Sequence, residues 1–277
     1  MILKSPTKEP IKLDVINPNI GVELAYRRKL QVLINEMAHE YIYWVRKELR
    51  DAPMAQDAAP NRSLLIRTLQ TLFKNLGQQW VSRFNKIAPE LAQVFVNGAT
   101  QHTDNAMMAS LKKAGFTIKF SMSPAVSNAW YATLADNVSL IKSIPAQFHK
   151  EIEGIVWRGV SGGFDLEQMT KDMQSRYDVT FHRAAFIAKD QSNKAKAVIE
   201  NERRKELGIT QAIWQHSHAG REPRKSHVKA GRENLIFDLD KGAYLEANGK
   251  DNWAWQLPGQ SINCRCTSRA IIPGFDD

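Results

Sequence analysis

The chain has 277 residues and only two cysteines, Cys264 and Cys266, which are separated by a single residue. A bond between them would close a small, strained ring. A structural disulfide framework is therefore excluded, and a reducing cytoplasm is the expected compartment of synthesis. There is no run of 18 apolar residues, so no membrane-spanning helix is expected. The opening Met1-Ile-Leu-Lys-Ser-Pro6 lacks the apolar stretch of a secretory signal. A phosphate-cradling glycine loop is missing too, since Gly162-Gly163 alone does not make one. No internal repeat or low-complexity tract interrupts the chain.

An apolar fraction of 43% is enough for a substantial core, and the charge content is that of a globular protein. The formal net charge of +9 is unevenly spread. Residues 1–150 hold 19 Lys and Arg against 11 Asp and Glu, whereas residues 151–277 hold 19 against 18. A cationic first half would be drawn to nucleic acid or to an acidic protein surface; a solvated basic surface explains the same numbers.

Hydrophobic periodicity predicts a helical first part. Residues 1–20, with Pro6, Pro10 and Pro18, read as an extended arm that lies on a neighbouring subunit or frays. Apolar residues from Tyr26 to Val45 recur at helical spacing over about 21–49. A proline-containing loop over 51–61 follows. A second helix starts near Ser63 with the stripe Leu65, Leu69, Phe73, Leu76, Trp80, Phe84 and Ile87, and Pro89 is expected to end or kink it. A third helix then runs to Lys113, capped by Gly115. The aromatics Tyr41, Trp44, Trp80 and Phe84 are assigned to the helical core.

Phe116–Met122 reads as a short strand or extended link, and Ser123-Pro124 as the next helix start. Ser143-Ile-Pro145 offers another start, and Gly159 with Ser161-Gly-Gly163 a break and candidate hinge. Asp165 and Gln168 have capping-box spacing for a helix ending near Tyr177, after which Thr180 caps a further helix closed by Gly208. Beyond Gly208 the pattern becomes strand-like at 209–214, 235–239 and 269–272, with Gly-, Asn-, Pro- and Asp-rich loops between. The expected class is α+β: a helix-rich N-terminal region followed by a small mixed C-terminal module. The expected segments are an arm over 1–20, a helical domain over 21–122 and an α+β domain over 123–277.

Side chains able to bind metal or do chemistry concentrate late. His216, His218, His227, Cys264 and Cys266 fall within 51 residues. Histidine and cysteine are the types zinc prefers, but the one-residue Cys spacing is not the common two-to-four spacing. His216 and His218 would share a face on a strand, and so would the two cysteines, which makes a four-ligand site conceivable. The competing reading is two small thiols packed as apolar groups beside hydrogen-bonded histidines. A nucleophilic Cys264 with His227 and Asp238 or Asp240 has suitable chemistry, but no oxyanion loop is recognisable.

Eight cations stand out over 203–232: Arg203, Arg204, Lys205, Arg221, Arg224, Lys225, Lys229 and Arg232, against Glu206 and Glu222. They suit DNA phosphates, an acidic partner, or internal bonds made by the guanidinium fork. Trp253 and Trp255 alternate and are assigned to one aromatic wall of the small core, an exposed interface anchor being the other reading.

Several words in the last third carry a resemblance. They are Arg183-Ala-Ala-Phe-Ile-Ala-Lys-Asp-Gln191, then Leu207-Gly208-Ile209 leading to Trp214, then Arg224-Lys-Ser-His227, and finally Pro258-Gly-Gln-Ser-Ile-Asn-Cys264-Arg-Cys-Thr267. In this order they resemble the phage Mu F-like minor head proteins, over about 145–273. Some members of that family carry a Cys-x-x-Cys pair where this chain has His216 and His218. The resemblance implies a low-copy, late virion protein of a tailed bacteriophage, acting in head morphogenesis and procapsid assembly. Its expected partners are the portal protein, other capsid components and double-stranded DNA. Its expected place is the capsid interior or portal vertex, with the host cytoplasm as the site of assembly. It implies no catalytic residues, no membrane and no cofactor, with zinc at the His/Cys cluster as the one exception considered. The alternative is a metal- or thiol-dependent hydrolase or toxin-like enzyme using that cluster.

Overall fold

A computed structural model describes residues 9–51, 59–162, 165–219, 222–247 and 252–273. The elements in order are β1 (Ile11–Lys12), α1 (Ile20–Asp51), α2 (Ala59–Lys113), α3 (Pro124–Ser161), α4 (Leu166–Glu206), β2 (Gln211–Gln215), α5 (Lys225–Arg232), β3 (Ile236–Asp238), β4 (Ala243–Glu246), β5 (Trp253–Gln256) and β6 (Thr267–Ile272). Among the described residues, four long helices precede a small antiparallel module, so the class is α+β.

The helix ends follow local chemistry. The Ser123 hydroxyl accepts from the Val126 N–H at 3.2 Å, and Pro124 fills the first turn of α3, where a missing N–H costs nothing. Asp165 Oδ1 accepts from the Gln168 N–H at 2.9 Å and caps α4. Gly115 and Gly208 adopt φ of 95° and 72°, and close α2 and α4. At α2 the Phe116 N–H reaches the Leu111 carbonyl, and at α4 the Ile209 N–H reaches the Arg204 carbonyl, the backbone pattern of a left-handed C-terminal cap.

Three expected breaks are absent. Pro89 lies inside α2, Pro145 inside α3, and Thr180 inside α4, where its hydroxyl donates back to the Arg176 carbonyl at 3.0 Å. Each site is flanked on both sides by buried apolar residues: Ala88 and Leu91, Ile144 and Phe148, Met173 and Ala184. Burial of a continuous stripe outweighs the one backbone bond that a proline removes. Gly159 is also helical, and the Met169 side chain occupies the space a β-carbon there would fill. The segment Phe116–Met122 is an extended link, not a strand. The expected loop over 51–61 and Gly163 fall largely outside the described residues.

The chain separates into two compact units, each discontinuous in sequence. One comprises Leu24–Gln93 and Ala135–Ile187. Its interior is aromatic: Tyr41, Phe73, Trp80, Phe84 and Phe148 are each no more than 2% exposed. Tyr41 meets Phe148 edge-on at 5.5 Å, and its hydroxyl lies 2.8 Å from His149 Nδ1. Trp44 is only half-buried, with Lys47 over its ring.

The other unit comprises Met1–Glu23, Val94–Leu134 and Ala188–Asp277, where described. Its main sheet has the order β1-β6-β2-β3, all antiparallel, and β4 pairs with β5 in a separate ribbon. The described part of the expected arm is neither frayed nor free. Ile11 pairs with Ile272, the Leu13 N–H bonds the Ala270 carbonyl, and Leu13 and Ile16 are buried. Residues 1–8 lie outside the described residues. The core of this unit joins Met107, Leu111, Phe116, Trp214, Phe237 and Ala270 with Cys264 and Cys266. Trp253 and Trp255 share a face as expected, but not a core: they are 53% and 60% exposed, flanking Tyr244. The ribbon buries Ala243 and Leu245 on its other face, so the indoles are left on the outside.

Candidate functional site: a buried His–Cys–Cys cluster

The Trp214 side chain and the two sulfurs are brought together by strand pairing. Trp214 lies opposite Ser268 and Gln215 opposite Thr267, so β2 runs beside the residues just after Cys266. The loop that delivers the cysteines, Leu257 to Cys266, is shaped by two left-handed residues. Gly259 has φ 85°, and a β-carbon there would lie 3.0 Å from the Ala197 β-carbon on α4. Only glycine meets both conditions cheaply. Asn263 has φ 57°, and its N–H bonds Asp190 Oδ1 at 2.5 Å. Asparagine tolerates that conformation better than other side chains. The Cys264 N–H then closes a turn onto the Ser261 carbonyl.

The third member comes from α5. This helix buries His227 and Ala230, three residues apart on one face, and exposes Lys225, Lys229 and Arg232. It is tied down by the Ser226 hydroxyl, which donates to the Glu246 carbonyl at 2.8 Å, and by Arg224, which donates to the Ile262 carbonyl at 3.1 Å. His227 Nδ1 lies 3.5 Å from Cys264 Sγ and 3.7 Å from Cys266 Sγ. The three groups are 2%, 3% and 5% exposed, and their ligand atoms all lie within 4.8 Å of one another.

The hydrogen bonds fix the imidazole. Gln256 Nε2 donates to the Leu245 carbonyl at 3.1 Å, so its Oε1 is the atom 3.1 Å from His227 Nε2. The Ser261 hydroxyl donates to the same Oε1 at 3.3 Å. An amide oxygen only accepts, so Nε2 carries the proton and Nδ1 turns a bare lone pair to the sulfurs. The Gly259 N–H donates to Cys264 Sγ at 3.4 Å. The Cys264 thiol is held well below the usual thiol range, first because the Cys266 thiol donates to it and also because backbone N–H groups bond it, against the opposing effect of burial. Cys266 is pushed up by donating to Cys264 and by burial. The indole N–H of Trp214 and the backbone N–H of Ser217 act in the opposite sense on Cys266. The Trp214 ring stands edge-on to His227 at 4.9 Å.

The remaining histidines lie just past the end of β2. His216 and His218 are in a loop, not on the strand expected for them; their rings are 4.8 Å apart, and the His218 N–H donates to His216 Nδ1. His218 is exposed. His216 is half-buried against Gly231, and its pKa is lowered by burial and then by the nearby His218 and His227.

A thiol triad is not assembled. Asp238 and Asp240 are exposed; Asp238 accepts from the N–H groups of Asp240 and Lys241, and Asp240 pairs with Lys205. The partner of His227 is the neutral Gln256, and the sulfurs are enclosed, whereas an attacking thiolate needs room for a substrate carbonyl.

The basic cluster divides into two kinds of residue. Arg203 and Arg204, proposed from sequence as contacts for DNA or a partner, are each 2% exposed and serve the fold. Arg203 grips Asp104 through both arms at 2.8 Å, donates to the Ser121 carbonyl, and stacks over Phe120. Arg204 pairs with Glu200 and donates to the hydroxyl and carbonyl of Ser268 on β6. Glu200 also pairs with buried Lys196 at 2.7 Å. A charge this deep persists only when it is paired, which is why these cations turn inward. Lys205 bridges Glu202 and Asp240. Lys225, Lys229 and Arg232 remain exposed, Arg224 is half-buried, and Arg221 lies outside the described residues. Sequence reasoning missed Gln256, Lys196 and Glu200. Only Glu200-x-x-x-Arg204 and Lys196-x-x-x-Glu200, at the spacing of one helical turn, signalled the ion network.

Residues 150–269 match the family model described as Phage Mu protein F like protein. The match contains α4, Trp214, α5 and both cysteines. A Haemophilus influenzae protein, described only as uncharacterized, is 24% identical over 274 residues, covering 98% of this chain and 58% of its own length. The chain thus spans a little over half the length of that relative. No solved structure is significantly similar. Residues 150–269 are thus similar to the phage Mu F-like family.

Proposed function

We propose that this protein is a minor head protein of a tailed phage that acts in head morphogenesis at the portal vertex. The observation that carries the reading is the family match over residues 150–269. The closed His227–Cys264–Cys266 cluster supports it, because enclosed side chains suit a stabilising role better than turnover. The enzyme reading gains no observation of its own.

The contacts of this role fall to exposed cations. Lys225, Lys229 and Arg232 project from α5, while Arg203 and Arg204 are committed internally. The α5 face meets packaged DNA or an acidic surface of the portal. Two experiments test this. Co-expressed with its phage's portal protein, the chain should co-purify with portal rings; rings that form without it, in heads that assemble normally when it is absent, would reject the role. Retention on double-stranded DNA should fall steeply between low and moderate salt, and the triple variant Lys225→Glu, Lys229→Glu, Arg232→Glu should lose it. Salt-independent retention, or none, would remove DNA from the list of partners.

A further inference from the structure

We propose that Cys264, Cys266 and His227 bind one zinc-class ion inside the C-terminal module. Two of the three separations match the edges of a tetrahedral site. Zinc–sulfur bonds of about 2.3 Å and zinc–nitrogen bonds of about 2.0–2.1 Å, set at tetrahedral angles, place sulfur and nitrogen about 3.6 Å apart. The two observed sulfur–nitrogen separations are 3.5 and 3.7 Å. Ordinary packing of thiols in an apolar core does not demand that both sulfurs stand at this separation from one bare imidazole nitrogen.

The surroundings are those a metal site needs. A ligating histidine presents one nitrogen to the ion and donates its other N–H to an oxygen, which fixes the tautomer and raises basicity. His227 does this through Gln256 Oε1, itself oriented by the Leu245 carbonyl and Ser261. The Gly259 N–H already supports the Cys264 sulfur. In the ion-bound site both sulfurs are thiolates, the Cys266 thiol giving up its proton, and the imidazole keeps its Nε2 proton. Two thiolates and one dication then sum to zero, so the buried site carries no net charge.

The three ligands together also account for the one-residue spacing of the cysteines: both sulfurs meet one imidazole that comes from a separate helix.

The test uses the full chain. Elemental analysis after dialysis should find one zinc per chain. Cobalt(II) should give the intense visible absorption of a tetrahedral thiolate site, with sulfur-to-metal charge transfer in the near ultraviolet. A chelator should lower the melting temperature, and zinc but not magnesium should restore it. Cys264→Ser, Cys266→Ser and His227→Ala should lose the ion, whereas His218→Ala should keep it. Because the ligand variants can misfold, Gln256→Ala provides an independent reading: it touches no metal and should weaken zinc affinity by about 10–100-fold. A metal-free wild type whose melting responds to neither chelator nor zinc would overturn the site.

Discussion

The two compact units bury different kinds of side chain. Among the described residues, the buried charged groups Asp190, Lys196, Glu200, Arg203 and Arg204 all belong to the unit that ends the chain. The unit of 24–93 and 135–187 instead fills its interior with Tyr41, Phe73, Trp80, Phe84 and Phe148. Apolar burial is proportional to area and nearly indifferent to direction. A buried ion network is directional and holds one arrangement at the cost of stripping water from each charge. The lesson is that one unit should tolerate repacking, while the other should not tolerate the loss of a single partner.

Substitutions can break or sharpen that contrast. The largest effects come from Glu200→Ala and Phe84→Ala, each expected to cost about 3–5 kcal/mol in urea unfolding, by different routes. Removing Glu200 strands Lys196 and Arg204 without their carboxylate. The triple change Lys196→Met, Glu200→Leu, Arg204→Met should therefore recover much of the loss. Should the triple variant be no more stable than Glu200→Ala, the directional account of this core fails. Gly259→Ala comes next, at about 1–2 kcal/mol, from a β-carbon in the left-handed region and its 3.0 Å approach to Ala197. A melt identical to wild type would show that the cysteine loop is not pinned there.

Smaller effects belong to the aromatic unit. Asp165→Ala should cost about 1 kcal/mol through the lost cap of α4. Asp165→Asn should retain most of it, and equal losses from both would point away from capping. Glu36→Ala should cost no more than about 1 kcal/mol, because its pair with Arg83 is 43% exposed on both sides and screened by solvent. A loss of several kcal/mol at this surface pair would erase the distinction between a solvated charge and the buried network of α4.

The helices were legible because their apolar stripes repeat with the helical period, and the caps at Ser123, Asp165, Gly115 and Gly208 are local chemistry. The breaks expected at Pro89, Pro145 and Thr180 were not, since burial on both sides is a tertiary fact. Helix α5 escaped notice as a helix because it is short and only His227 and Ala230 of its eight residues are buried. In the cluster, the residue types were readable and the membership was not. His216 and His218 looked like one face of a strand, but the strand ends at Gln215 and His227 takes the place beside the sulfurs. In the same way, Arg203 and Arg204 look no different in sequence from the exposed cations of α5.

The order of residues by itself determined the helix-rich half, the strand-bearing end, the resemblance of residues near 150–270 to a phage head family, and the presence of zinc-preferring side chains. These depend on periodicity and short words, which are properties of neighbours along the chain. Only the tertiary structure decided which histidine meets the cysteines, which cations turn inward, and that the Trp253–Trp255 face is exposed. Those outcomes depend on residues tens of positions apart arriving within a few ångströms, where desolvation makes each polar group find its partner.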